Sequence, residues 1–328
     1  MENIPIFFAT DDNYIPFLTI AIQSIKENSS RNFKYLIKVL CNKDNVTSQN
    51  MEKVYKLEDE NYDIEFVDIS KKQAEINNKL HTRDYYSKAT YYRIYIPELF
   101  PQFDKAIYLD CDIVVIGDIS ELYKKELGDH LIGAIPDGSI PCIKEFQDYV
   151  INSIGVETYD KYVNAGILLM NTKKLREICF EDLFVSALTV ATFDVAQDQD
   201  YINTICKNHI LFIGEEWDKM PIAETIPEKD IKLIHYNLNF KPWLVDNVMY
   251  ENYFWKYAKQ TEFYDHIVSL KSKRTKEQQE KESLTTQNLV KNAKEQAENT
   301  ALNLDRLSKI QSVVDYYSNQ LNKKQKRV

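Results

Sequence analysis

Along its first 240 or so positions the chain alternates two hydrophobic patterns. Short runs rich in apolar residues, Ile4–Thr10, Tyr35–Cys41, Asp63–Asp68, Leu131–Pro136, Ile167–Met170 and Lys232–Tyr236, read as strands. Between them, apolar residues recur every three or four positions, as at Ile15, Leu18, Ile22 and Ile25. That spacing predicts helices over Tyr14–Asn28, Thr47–Glu60, Ser87–Leu99 (ended at Pro97), Phe180–Thr192 and Asp200–Lys207, and one or two more within Tyr250–Leu270. Strand, helix, strand, helix, strand is the order of an α/β fold with a mostly parallel sheet covered by helices.

The most informative run is Lys105–Gly117, KAIYLDCDIVVIG. Ala106–Leu109 reads as a buried strand that delivers Asp110 and Asp112 where it should leave the sheet. On a regular strand, residues two apart share a face. Two unpaired carboxylates on one face would repel and pay a desolvation cost. A hard divalent cation holding a diphosphate would relieve both. A solvated strand end that merely carries Asp-x-Asp is the bland alternative.

Other polar groups interrupt the pattern at strand ends. Asp11, Asp12 and Asn13 follow the first strand, placed either to cap the next helix or to meet a ligand at the first strand-to-helix turn. Arg93 lies among Tyr91, Tyr92 and Tyr95, either over aromatic packing or as a cation for phosphate. Asn164-Ala165-Gly166 precedes an apolar strand, with two small residues that let a ligand approach the backbone. Asp198-Gln199-Asp200 opens a helix, where acids suit the dipole and an acid–amide–acid triplet also suits sugar hydroxyls. His235 ends the last strand, either as a core histidine or as a ligand, and Lys241-Pro242-Trp243 follows in the same loop. With only 7 glycines, no GxGxxG and no GxxxxGK[ST], a glycine-rich phosphate loop is absent, so any nucleotide must be held by metal and side chains.

Composition changes the picture at the C-terminal end. From Lys271 onward there are 13 Lys and Arg against 7 Asp and Glu, leaving 28 against 43 in the preceding residues. An acidic body is thus followed by a basic segment without glycine or proline, ending KKQKR (Lys323–Arg327). Lys271–Glu282 reads as a linker or fraying helix, and Leu284–Leu321 as an amphipathic helical appendage with only a weak heptad. Its apolar face needs a partner: the body, a second copy, or an anionic membrane surface. We therefore divide the chain into 1–270 and 271–328. The net charge of −9 argues against a general nucleic-acid binder. Five scattered cysteines without a CxxC fit reduced thiols in a cytoplasmic protein, with peripheral contact at the inner membrane face as an option for the tail. The N-terminus lacks the basic region and long apolar run of a signal peptide, and no stretch has the length of a membrane span.

Six blocks then fall into a known order and spacing: FATDDNY (Phe8–Tyr14), ATYYRIYIPEL (Ala89–Leu99), YLDCDIVV (Tyr108–Val115), NAGILLMN (Asn164–Asn171), DQDYIN (Asp198–Asn203) and HYNLNFKPW (His235–Trp243). Over about residues 3–260 the chain resembles the family 8 glycosyltransferases, the retaining group that includes the bacterial lipooligosaccharide α-galactosyltransferase and glycogenin. The resemblance implies a GT-A fold, a Rossmann-like α/β sheet binding a UDP-sugar at its strand ends. It implies Ala9, Asp11 and Asn13 at uracil and ribose, and Asp110, Asp112 and His235 on manganese or magnesium. Lys241 would meet the diphosphate, with Arg93, Asn164, Ala165, Asp198 and Gln199 around the donor sugar. One departure stands out: where the family often has glycine, three residues after the metal-binding histidine, this chain has Leu238.

The activity implied is transfer of glucose or galactose from UDP-hexose to a glycan or glycoconjugate acceptor, such as a bacterial cell-surface glycan, with retention at the anomeric carbon. Gln199, Asp198 and Asp200 are the groups nearest the back face; an amide is a poor nucleophile, which favours same-face attack with Gln199 supporting the developing positive charge. Two other readings compete. Leu109–Val114 also satisfies the nucleophile motif of haloacid dehalogenase-type phosphatases, which would use Asp110 and Asp112, but it lies far from the N-terminus and the later paired acidic motif is missing. A non-catalytic scaffold that binds a partner through the tail has only Leu238 in its favour.

Overall fold

The structure is a computed structural model that describes residues 1–76 and 88–325. Nine strands form among the described residues: β1 (Glu2–Ala9), β2 (Phe33–Cys41), β3 (Tyr62–Asp68), β4 (Ala106–Leu109), β5 (Ile113–Val115), β6 (Ile132–Pro136), β7 (Val163–Met170), β8 (Ile210–Phe212) and β9 (Leu233–His235). Seven of them make one sheet in the order β3-β2-β1-β4-β7-β6-β8, and β5 pairs with β9 in a separate ribbon. The pairs β1–β2, β2–β3, β1–β4 and β6–β8 are parallel, whereas β7 runs antiparallel to both β4 and β6. The sheet is mixed and mostly parallel, as the alternating pattern predicts.

Two apolar cores lie on the two faces of the sheet, because residues of β1 alternate between them. Phe7 and Ala9 pack into one with Tyr91, Tyr108 and Leu168; Ile4, Ile6 and Phe8 pack into the other with Ile37, Ile107 and Leu169. Strand order reverses at β1, which pairs with β2 on one side and β4 on the other. In open α/β sheets this is where ligands bind, beyond the carboxyl ends of the strands. The C-terminal ends of β1 and β4 emerge there, and the antiparallel β7 brings its N-terminal residues, Asn164–Gly166, to the same edge.

Several local expectations are corrected. The Asp110–Asp112 segment is a bend between β4 and β5, two strands in different sheets, and not a point on one regular strand. Ile15–Asn28 is helical, but its N-cap is Tyr14 with no side-chain cap; Asp11 Oδ1 instead accepts from Asn13 N at 3.0 Å, and Asp12 Oδ1 binds Thr47 N at 2.9 Å and Asn50 Nδ2 at 2.9 Å. Residues 88–95 form a 3₁₀ segment, and Pro97 starts the short Ile96–Leu99 helix where it was expected to end one, since the first helical turn has no use for the missing N–H. Residue 87, where that helix was expected to begin, lies outside the described residues.

The tail also differs from expectation. Helix Tyr264–Lys273 runs past the proposed boundary, and Thr275 caps a second helix, Lys276–Glu298, through a capping box with Gln278. A break at Asn299 separates it from Thr300–Gln325. Ala293, Ala297 and Ile310 are buried against the body, Gln296 Nε2 donates to Asp194 Oδ2 at 2.9 Å, and the Ser186 and Tyr317 hydroxyls lie 3.2 Å apart. Leu304 and Tyr316 stay exposed. The basic cluster Lys323–Arg327 lies partly outside the described residues. Among the described residues no helix is long and apolar enough to cross a membrane.

Candidate active site

The geometry follows from three strand ends. Asp110 comes directly off β4, its backbone N–H held by the Gly166 carbonyl at 2.7 Å. Cys111 turns away and donates its thiol to the Ala9 carbonyl at 3.3 Å, which leaves the two flanking carboxylates free to face one cavity. Asp112 leads into β5, whose Ile113 is paired with His235 of β9. The ribbon therefore sets the imidazole beside the second carboxylate, across a gap of more than a hundred residues in sequence. Ligand atoms of Asp110, Asp112 and His235 all lie within 4.8 Å of one another.

His235 is held from behind. Its Nδ1 lies 2.9 Å from Asp218 Oδ1, and its Nε2 lies 3.3 Å from Asp112 Oδ1. A carboxylate on the far nitrogen is the usual way a metal-binding imidazole is fixed in tautomer and orientation. Burial works against a charged imidazole here, but the Asp218 and Asp112 carboxylates outweigh it and raise the His235 pKa to about 10. Burial would likewise raise Asp112, yet Lys241 and His235 hold it well below the usual carboxylate range. Lys241 is itself buried, bonded to Asp112 Oδ2 and lying over the Trp243 ring at 5.4 Å.

Arg93 ties this cluster to the next. The guanidinium is buried, stacks over Tyr108 at 4.3 Å, and binds Asp110 Oδ1 at 3.2 Å and Asp198 Oδ2 at 3.0 Å. Further bonds to the carbonyls of Thr90 and Ala165 complete its fork. Burial raises the Asp198 pKa to about 6, with Arg93 opposing and Asp110 adding to the rise.

Gln199 is clamped between Ala165 N, which donates to its Oε1 at 3.0 Å, and Asp137 Oδ2, which accepts from its Nε2 at 2.9 Å. Asn164 donates to the same Asp137 oxygen at 3.3 Å and accepts from Gly166 N at 2.7 Å. These groups line one cavity of about 190 Å3, together with Ala9, Asp11, Lys241 and, from the tail, Leu289.

Of the residues proposed from sequence, Ala9, Asp11, Arg93, Asp110, Asp112, Asn164, Ala165, Asp198, Gln199, His235 and Lys241 come together around that cavity. Asn13 lines a neighbouring cavity of about 720 Å3, which shares Tyr14, Leu238 and Lys241 with the first and is closed on one side by Gln278, Lys281 and Thr285 of the tail. Asp200 is not brought into the cavity. It is fully buried behind it, accepting from Tyr149 and Tyr162 hydroxyls at 2.8 and 2.7 Å and from Ala196 N at 2.8 Å. Two acids were missed by sequence reasoning: Asp137, just beyond β6, and Asp218, behind His235. Asp137 follows an apolar run as Asp110 does, a signal that was available; Asp218 carried none. Leu238 has φ of +52°, a left-handed backbone that glycine adopts freely and leucine at a cost of about 1 kcal/mol.

Comparison with known proteins follows the same lines. A Haemophilus influenzae protein, named provisionally as a glycosyltransferase, is 28% identical over 234 residues, 70% of this chain and 67% of its own. The lipopolysaccharide 1,2-glucosyltransferase of Escherichia coli is 26% identical over 174 residues, 48% of this chain and 50% of its own. Among solved structures, the bifunctional glycosyltransferase WbbM superposes with a TM-score of 0.68 at 25% identity, covering 83% of this chain and 52% of that one. The galactosyltransferase LgtC, solved with donor and acceptor sugar analogues, gives 0.62 at 23% identity, covering 79% and 96%, and so shares the GT-A fold. The chain thus spans about half the length of the E. coli enzyme and of WbbM. The profile of the family described as Glycosyl transferase family 8 matches residues 5–247, about three quarters of the sequence, and the chain belongs to that family.

Proposed function

We propose that this glycosyltransferase moves glucose or galactose from a UDP-sugar to a glycan or glycoconjugate acceptor, in the cytoplasm, with retention and with a divalent metal. The observation that carries the reading is the Asp110–Asp112–His235 cluster in a cavity that also holds a buried lysine and arginine. Two carboxylates and an imidazole form a mixed oxygen and nitrogen donor set suited to manganese, with magnesium as the harder alternative. The surroundings fit an ion as well: Gly166 leaves open the space where a Cβ would stand 2.5 Å from His235 Cε1 and 2.8 Å from Asp110 Oδ2. When bound, the metal would supply positive charge to the departing diphosphate.

The chain's own residues have separable tasks in this reading. Lys241 adds a cation at the leaving group, a fixed charge in a site shielded from water. Arg93 neutralises Asp110 and Asp198 together and keeps both carboxylates in place. Gln199, locked by Ala165 and Asp137, presents a rigid amide dipole at the sugar's back face, consistent with same-face attack. Asp137 is the carboxylate best placed to orient the sugar or the acceptor. We take residues 1–270 as the catalytic unit and 271–328 as a tail docked on it.

The test is a panel of UDP-, GDP- and CMP-sugars assayed for slow hydrolysis with manganese and with chelator. Preferential, metal-dependent turnover of UDP-glucose or UDP-galactose is expected, and Asp112→Asn should abolish metal-dependent UDP binding in a folded protein. Preference for a GDP- or CMP-sugar, or UDP binding indifferent to manganese, refutes the proposal.

A further inference from the structure

The polar side chains around the cavity are almost all matched within the protein. Arg93 has four partners, Lys241 has Asp112, and Gln199 and Asn164 are each bonded at both ends of the amide. Three lining groups differ: Asp198 Oδ2, which has its ion pair with Arg93, Asn237 Oδ1 and Gln197 Nε2 have no hydrogen-bond partner among the described residues, and of these three residues Gln197 is the one with a left-handed backbone. Gln197 is only 6% exposed. Its Oε1 has only the Thr90 hydroxyl, at 3.5 Å. A buried amide is ordinarily paired, because an unmatched one forfeits its hydration for nothing.

The backbone marks the same residue. Gln197 has φ of +49° and ψ of −123°, a conformation that glycine adopts without strain and glutamine does not. It is held there from both sides: Ala196 N is bonded to the buried Asp200 carboxylate at 2.8 Å, and Gln199 N to the Ala196 carbonyl at 3.0 Å. The buried Tyr149–Asp200–Tyr162 cluster thus fixes the turn that turns this amide into the cavity. A residue kept in a strained conformation, buried and unmatched, is placed for a partner that arrives from outside.

We propose that Gln197 reads the donor sugar, its side-chain N–H donating to one hydroxyl oxygen of the hexose. The assignment rests on the UDP-hexose reading above. The hexose is favoured over the nucleotide because Gln197 precedes Asp198 in the chain and contacts Thr90, whose carbonyl is bonded to Arg93, and Arg93 and Asp198 are both assigned to the sugar. A hydroxyl suits the site because it can accept from the amide while donating to a carboxylate. Sites built to bond a substrate hydroxyl discriminate strongly against analogues that lack it. Gln197 is then a residue through which this chain distinguishes one UDP-hexose from another.

The experiment measures equilibrium binding of UDP, UDP-hexose and singly deoxygenated UDP-hexoses, with manganese, to the full chain and to Gln197→Met. Methionine matches glutamine in length and cannot donate. Wild type should bind the hexose-bearing donor more tightly than UDP, and one deoxy analogue about tenfold more weakly than its parent. In Gln197→Met, UDP binding should stay within about twofold, the parent donor should lose about tenfold, and that one deoxy analogue should lose nothing further. Gln197→Gly, which suits the backbone and also lacks the amide, should behave alike and keeps the test valid if the methionine variant folds poorly. If every deoxy analogue loses as much in the variants as in wild type, Gln197 does not touch the sugar and the proposal is overturned. If wild type binds no UDP-sugar at all, the donor reading itself falls, and this inference with it.

Discussion

Gly166→Ala is the smallest change expected to disable the metal cluster. The added methyl would stand 2.5 Å from His235 Cε1, 2.8 Å from Asp110 Oδ2 and 2.9 Å from Asn164 Oδ1. The first contact is about 1 Å inside the roughly 3.5 Å of an ordinary carbon contact, so something must move. The backbone at Gly166 is not in the left-handed region, and alanine carries no conformational penalty there. The strain falls on side chains. His235 cannot yield freely, because Asp218 holds its Nδ1 and the ring is 2% exposed. Asp110 is tied to Arg93 and Tyr108. Overpacking of this kind costs about 1–3 kcal/mol of stability, and displacing the orienting shell of a metal ligand typically costs about 10–100-fold in affinity. We therefore expect Gly166→Ala to stay folded, to melt a few degrees lower, and to need at least about tenfold more manganese for half-maximal UDP binding. Titrating manganese at fixed UDP, followed by calorimetry, measures this directly. An unchanged manganese midpoint would mean that Asp110, Asp112 and His235 do not form the metal site.

Three further outcomes follow from the packing. Asp200→Asn places an amide where a carboxylate accepts two tyrosine hydroxyls and a backbone N–H, and should cost about 2 kcal/mol, roughly 3 °C in Tm for a chain of 328 residues, before any effect on turnover. A chain ending at Leu270 should keep manganese-dependent UDP binding, since the residues assigned to the donor precede it, but melt lower because the face that buries Ala293, Ala297 and Ile310 is uncovered; loss of UDP binding in a folded shortened chain would refute the division. Thiol reagents should modify exposed Cys142 first and half-buried Cys179 next; Cys41, Cys111 and Cys206 are buried and burial raises their thiol pKa values, so mass spectrometry should find them modified only after unfolding.

Much of the sheet was legible because its strands are short runs rich in apolar β-formers, continuous as in Ile167–Met170 or alternating as in Asp63–Asp68. β8 was not, since Ile210–Phe212 is three residues long and half-exposed. β5 was hidden because its apolar residues continue the pattern of β4, and nothing local reports the change of sheet at Asp110. The ligand trio was visible as residue types at strand ends, and the family resemblance placed them together. What sequence could not supply was supporting geometry. Asp218 gains its role only by packing behind His235, Asp200 loses its apparent role by burial, and Gln197 stands out only once its left-handed backbone and its unmatched amide are seen together. The tail was read as a linker and one appendage because low hydrophobicity over Lys271–Glu282 hides a helix whose start is a local capping signal, Thr275 with Gln278.

The β5–β9 ribbon has one more consequence. Each strand is three residues long, and their register alone decides which side chain faces Asp112. A slip by one residue would carry the imidazole to the opposite face and bring Tyr236 into its place. Leu233, Ile234 and Tyr236 are members of the second core, so the same slip would turn apolar side chains out of it, and the packing that buries them is what keeps the imidazole facing Asp112. The metal ligand is thus held in register by the core as well as by the ladder. Manganese stoichiometry per chain becomes the measure of how many molecules in a preparation reached the right pairing, and metal present during refolding would select it.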